Sequence, residues 1–217
     1  MLEIRKDFPD INVDIAIQPL EGVFGKNQKN YIEACEKADI VGGLPSRDYD
    51  REQEHLDFIF SLGKSLNKKI DVHIDQENSP LEKETEQLAR TTIKHGLEGK
   101  VFGIHAISLS CHPLYYQKEV CKMLKDAGIT IVVCPSAAIS MKQLSNMTSP
   151  IHNSICPLEL FLENNIPVCL GIDNISDLFM PLVDGDFWFE CRLLMEATRI
   201  YNLDVISKIA SGYYINQ

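Results

Sequence analysis

The chain has 217 residues, enough for one sizeable core, and its 45% hydrophobic and 24% charged content is that of an ordinary globular protein. A net charge of −10 disfavours a nucleic-acid partner, whose affinity rests on Lys and Arg, and no apolar stretch reaches the ~20 residues that span a bilayer. The N-terminus lacks an apolar signal segment, and seven scattered cysteines without a CxxC pair read as reduced thiols, so a cytoplasmic protein is expected.

In chain order, the first predicted strand is INVDIAIQPL (residues 11–20), closed by a turn at Pro19–Gly22. A helical stretch over 27–38 leads to the apolar run DIVGGLP (39–45), and a second over 51–66 leads to KIDVHID (69–75), with His73 near its end. Ser79–Pro80 and the acids that follow predict a helix over 80–96. VFGIHAIS (101–108) places His105 at the end of the fourth run. A helix over 114–127 precedes TIVVCPSA (130–137), and one over 154–164 precedes PVCLGIDN (167–174), which ends in Asp173 and Asn174. A final amphipathic stretch covers 185–200, with Asp184 and Asp186 around Gly185 as turn and N-cap residues.

Alternating strands and helices with short connections predict an α/β fold with a parallel sheet, open or closed into a barrel, in a single domain over 1–217. Both architectures place active sites at the carboxyl ends of the strands. The residues there include Gln18 and Glu21, Pro45 to Asp48, His73, Asp75 and Gln76, His105 and Ser108, Pro135 and Ser136, and Asp173, Asn174 and Asp177. Two histidines and a carboxylate late in successive strands suit one divalent metal and one activated water. Taken singly, each has a bland reading as a core histidine or a turn cap. His112 and His152 read as surface or loop histidines, Asp48, Asp50 and Arg51 as a solvated helix start, and the Met141–Met147 region as loop filling.

The segments DFPDINVDIAIQPLEGVFG, ADIVGGLPSRDYDRE, KIDVHIDQ, GIHAIS, GITIVVCPSAAI and VCLGIDNISDLFMPLVDGD run in order over about residues 5–200. Together they resemble the cytosine deaminase-like branch of the metal-dependent amidohydrolase superfamily. The resemblance implies a (β/α)8 TIM-type barrel, present as about six of its eight β/α units and without strands one and two. It implies hydrolysis of a C–N bond in a small cyclic amidine or amide with one divalent metal ion, zinc or iron, both of which suit imidazole and carboxylate ligands. By that resemblance His73 and Asp173 are metal ligands, His105 orients the hydrolytic water, and Asp173 also takes the water's proton.

The sequence departs from the family pattern in three places. Gln76 stands where the family has a proton-carrying Glu, and an amide does not transfer a proton in that way. Leu20 stands where a glutamine reads the pyrimidine edge, which favours another cyclic amidine over cytosine. The family's His-x-His pair occurs nowhere in the sequence. Phe179 matches the aromatic against the substrate ring, and Asn174 is a further candidate lining residue. The expectation is a C–N hydrolase for a small heterocycle; the alternative is a truncated, inactive remnant or interaction module. A barrel lacking two strands exposes strand edges, so a homo-oligomer is also expected.

Overall fold

The computed structural model describes residues 4–140 and 155–212, in two compact units that divide between Val72 and His73. His152 and the Met141–Met147 region lie outside the described residues.

The first unit runs α1 (Ile4–Asp7), β1 (Ala16–Ile17), α2 (Gln28–Lys37), β2 (Ile40–Gly43), a 3-10 turn (Pro45–Arg47), α3 (Glu52–Leu66) and most of β3 (Lys69–Ile74). β1, β2 and β3 pair in parallel, with Ala16 opposite Ile40 and Val41 opposite Ile70. β1 is far shorter than its apolar run, because Pro19 has no N–H to extend the ladder and the chain turns there, with Gly22 N donating to Pro19 O. Gly22 has φ +80°, and a Cβ on it would stand 2.8 Å from Asp48 Cγ, so this turn requires glycine. α3 buries His55, Leu56, Ile59, Phe60 and Gly63, one helical face at the spacing of 3.6 residues per turn. It stops at Asn67, whose left-handed backbone (φ 52°) suits a short polar side chain.

The second unit continues with α4 (Glu84–His95), β4 (Val101–His105), a 3-10 segment (Ile107–Cys111), α5 (Leu114–Asp126), β5 (Thr130–Val133), α6 (Pro135–Ser140), α7 (Leu158–Glu163), β6 (Val168–Leu170), α8 (Phe187–Thr198) and α9 (Leu203–Ala210). β4, β5 and β6 are parallel neighbours, with Gly103 opposite Ile131 and Val132 opposite Cys169. Ile104, Ile131, Val133 and Val168 from these strands are buried with Leu88, Leu124, Phe161, Leu194 and Ile206 from the helices. Asp186 caps α8 by accepting from Trp188 N and Phe189 N, as its place beside Gly185 implied.

Three sequence expectations need correction here. α4 begins at Glu84, not at Pro80, because its free N–H groups are met by the side chain of Asp75 rather than by Ser79. The end of the fifth run is helical from Pro135, since Pro fits a first helical turn and not a central strand. α9 was not foreseen at all. All seven cysteines are thiols, six buried and Cys111 half-buried. Among the described residues no helix is long and apolar enough to cross a membrane.

Candidate active site

His73, the first residue of the second unit, sits one position before the end of β3. In β3 the side chains of Ile70, Val72 and Ile74 are fully buried while Asp71 and His73 alternate with them and are partly exposed, so the histidine stands on the face opposite Ile74.

His105 ends β4, and strict alternation would place it with Gly103, whose added Cβ would meet Ile74, Leu88 and Ile131 on the helix-covered face. The backbone prevents that. His105 has φ +78° and Ala106 φ +52°, so the chain turns sharply and brings the imidazole to His73. His73 Nδ1 lies 3.1 Å from His105 Nε2, and the ring centroids are 4.9 Å apart, edge to face.

Asp173 follows β6 at φ +72° and brings Oδ2 to 3.8 Å from His105 Nε2. One donor atom from each of the three residues lies within 4.8 Å of the other two. The sequence therefore named three residues that the fold brings to one point.

The electrostatics are those of a desolvated site. Burial pushes His73 down to about 4, and it pushes His105, which also faces His73, well below the usual histidine range. Both rings are neutral at neutral pH, as ligands must be. Burial, then the nearby Asp177 charge, pushes Asp173 up to about 6. His105 Nδ1 is buried without a hydrogen-bond partner among the described residues. Leaving such an atom unpaired costs about 1–3 kcal/mol. Neutral imidazoles and a carboxylate, one donor atom from each within 4.8 Å of the others, are a donor set that fits a divalent ion.

The other sequence candidates are distributed around this cluster or away from it. Gln76 is partly buried in the loop after β3. Asn174 donates through Nδ2 to Asp177, whose Oδ1 accepts from Phe179 N and Met180 N at 2.9 Å, so one carboxylate holds the loop after Asp173. The Phe179 ring is 60% exposed. Leu20 belongs to the first unit and is exposed there.

Several residues that sequence reading passed over or misjudged also carry the arrangement. Asp75, fully buried, accepts from Glu84 N and from Thr85 N and Oγ1, while its own N–H donates to Glu84 Oε2 at 2.7 Å. Glu82 accepts from Ser108 Oγ and from Glu77 N, and burial pushes its carboxyl up to about 7 against the lowering effect of the Ser108 hydrogen bond. His112, expected at the surface, is nearly buried, and its Nε2 donates to the Glu82 carbonyl at 2.7 Å. Glu190 holds Ser136 through both N and Oγ at the end of β5. In the first unit Asp48 is not part of a solvated face: its Oδ2 takes His55 Nδ1 at 2.6 Å and Val23 N at 2.8 Å. The Asp75 cap, like the Glu82 and Asp48 pairings, joins residues apart in sequence and had no local signal.

No protein-family model matches the chain. An uncharacterized protein of Haemophilus influenzae is 38% identical over 154 residues, covering 69% of this chain and 55% of that protein. A pterin deaminase of Rhizobium rhizogenes is 23% identical over 169 residues, 78% of this chain and 38% of that protein. The chain thus spans about half or less of the length of these curated relatives. In fold, it matches 5-methylcytosine deaminase from Klebsiella pneumoniae liganded with 5-fluorocytosine at a TM-score of 0.90 and 21% identity, over 99% of this chain and 54% of that one. N-isopropylammelide isopropylaminohydrolase from Burkholderia multivorans matches at 0.79 and 17% identity, again over 99% and 54%. These relatives and structural neighbours are deaminases and amidohydrolase-type hydrolases, and the chain has their α/β fold, as about six of the eight β/α units of a TIM-type barrel.

Proposed function

We propose that the chain carries the reaction centre of a metal-dependent amidohydrolase that hydrolyses a C–N bond of a small cyclic amidine or amide, releasing ammonia or an amine. The observation that carries this reading is the meeting of His73, His105 and Asp173 at one point. The deaminases and the aminohydrolase among its relatives and structural neighbours support the reaction class.

His73 and Asp173 would hold one divalent ion, zinc or iron. Such an ion, when bound, lowers the pKa of water toward ~7 and so supplies hydroxide at neutral pH. Asp173 accepts the proton that the attacking water loses. Gln76 can orient the substrate through its amide but has no proton to give, so Asp173 returns its proton to the departing nitrogen. His105, buried beside both, faces the same point and sets where the attacked carbon can stand.

For the substrate, Leu20 offers no hydrogen bond to a pyrimidine edge, and Phe179 presents an aromatic face to a flat ring. An alkylamino heterocycle, a triazine or a related cyclic amidine suits these two residues better than cytosine. Asn174, tied to Asp177, would keep the loop carrying Phe179 beside the ring.

The test is release of ammonia or amine from a panel of cyclic amidines, including cytosine, by the zinc-loaded protein, beside Asp173→Asn. Turnover of a non-cytosine member, abolished in the variant, is the expected result. Metal-loaded protein that turns over none of them would sink the reading and favour a non-catalytic role.

A further inference from the structure

The loop after Asp173 and the first turn of α8 present an apolar face to solvent. Ser176 donates through both N and Oγ to the Val183 carbonyl, at 2.8 and 2.9 Å, so the loop closes on itself. Met180 anchors it from below, buried with Ile104, Cys134 and Ala137. That leaves Leu178 90%, Leu182 95% and Trp188 84% exposed, with Phe179 and Phe189 exposed beside them. Single exposed apolar residues are ordinary, but large ones gathered on adjoining segments mark an interaction surface.

The charge around this face is nearly of one sign. The sequence holds no Lys or Arg between Lys142 and Arg192, whereas Asp177, Asp184, Asp186 and Glu190 all fall within that stretch. Arg192, the first cation, is a full helical turn beyond Trp188 on α8. Between the loop and α8 lies an open cavity of about 180 Å³, apolar at Leu182, Val183 and Phe189 and acidic at Asp184, Asp186 and Glu190.

Glu190 is 1% exposed. Ser136 N and Oγ donate to its carboxylate, but no basic side chain pairs with it among the described residues. A buried carboxylate is costly without a counter-charge. Asp184 and Asp186 spend only Oδ1 on backbone N–H groups, and no bond to either Oδ2 occurs among the described residues.

We propose that this face docks a basic, amphipathic segment of a partner protein, with one Lys or Arg side chain in the cavity and apolar neighbours on Leu178, Leu182 and Trp188. The aliphatic stem of such a side chain matches the apolar walls, and its cationic head matches the three carboxylates. A second copy of the chain fits less well, because a two-fold pairing of this face sets Asp184, Asp186 and Glu190 against their own images. An anionic lipid surface meets the same repulsion.

Trp188 is the only tryptophan of the chain, so its fluorescence reports on this face directly. The probe is a synthetic amphipathic helix of Leu and Lys, titrated into the full chain at about 150 mM salt, where long-range attraction between exposed charges is screened. A saturable shift of Trp188 emission to shorter wavelength is expected, and none with the same helix carrying Glu for Lys. Leu182→Ser and, separately, Glu190→Gln with Asp184→Asn should each weaken binding at least about tenfold, as loss of central interface contacts does. Removing two exposed carboxylates elsewhere, by Glu33→Gln with Glu36→Gln on α2, should change binding by about twofold or less. Equal weakening by the two pairs of charge substitutions would reduce the effect to overall acidity and overturn the proposal, as would binding of the Glu helix or the absence of any shift. Emission that moves with protein concentration alone, together with a dimer in sedimentation, would give the face to a second copy and overturn it as well. Leu182 and Asp184 are exposed, so Leu182→Ser and Asp184→Asn carry the test even if Glu190→Gln fails to fold.

Discussion

His73 and His105 meet at 3.1 Å although strand alternation alone would turn them to opposite faces. The left-handed residue at the end of β4 makes the difference. An L-residue held at φ +78° costs of order 1–3 kcal/mol, and the fold carries that cost at the one histidine that needs re-aiming.

Metal should then stabilise the folded chain. Zinc at 100 times its dissociation constant adds about 2.7 kcal/mol, if it binds only the native state. Thermal melts with zinc and with a chelator should differ by several degrees in the unaltered protein and coincide in His73→Ala. Coincident melts in both would mean that the cluster takes no zinc.

Asp75 and Glu84 cap each other across the β3–α4 loop, each accepting the other's backbone N–H. Asp75→Ala leaves the Glu84 and Thr85 N–H groups buried without an acceptor, and removes the reason α4 begins where it does. A loss of about 2–4 kcal/mol is expected from the cap and the unsatisfied donors together. Asp75→Asn keeps an oxygen acceptor and should lose less than half of that. Urea unfolding followed by circular dichroism measures both; equal losses would show that hydrogen-bond acceptance is not what Asp75 contributes.

Much of this was legible in the sequence, for definable reasons. Period-two and buried apolar runs located the strands, and His73, His105 and Asp173 stood out because such residues rarely end buried strands without a task. What was not legible depends on backbone angles and distant partners. Nothing local in GIHAIS announces the positive φ at His105. The Ser79–Pro80 pair outranked Asp75 as a helix start because a cap from nine residues upstream has no sequence signature. Asp48 read as solvated because its partners, Val23 and His55, lie on other elements.

The Asp48–His55 pair makes its own prediction. Leu44 N donates to His55 Nε2, so the ring proton is on Nδ1 and donates to Asp48. Burial holds His55 below the usual histidine range, against the raising effect of Asp48, which keeps the ring neutral. Asp48→Ala strands two buried donors, His55 Nδ1 and Val23 N, and should cost about 2–4 kcal/mol. In nuclear magnetic resonance the His55 ring should show a protonated Nδ1 at pH 7; a protonated Nε2 would contradict the arrangement.

Glu82 should leave a mark on the pH dependence of stability. Its folded carboxyl, pushed up to about 7 by burial, lies above the ordinary 4.5 of the unfolded chain. Between those values the native state binds more protons than the unfolded one, so stability falls as pH rises from about 4.5 to about 7 and levels off beyond. The loss is on the order of 1–3 kcal/mol. Glu82→Gln should match the unaltered protein below pH ~4.5 and exceed it at pH ~8. Parallel curves across that range, from denaturant titrations at each pH, would place the carboxyl pKa elsewhere.

Gln76→Glu tests how the proposed reaction handles its second proton transfer. If Asp173 alone returns the proton to the departing nitrogen, turnover is held back by the distance and direction of that one carboxylate. A carboxylate at position 76, in the loop directly after His73, gives the leaving group its own donor. General acid catalysis contributes typically about 100–10,000-fold. An increase in kcat of at least about tenfold is therefore expected, with a new acidic limb in the pH profile. KM should change little, because an amide and a carboxylate of the same size occupy the same space. Unchanged kcat with a shifted KM would instead assign Gln76 to substrate binding, and would leave Asp173 as the sole proton carrier.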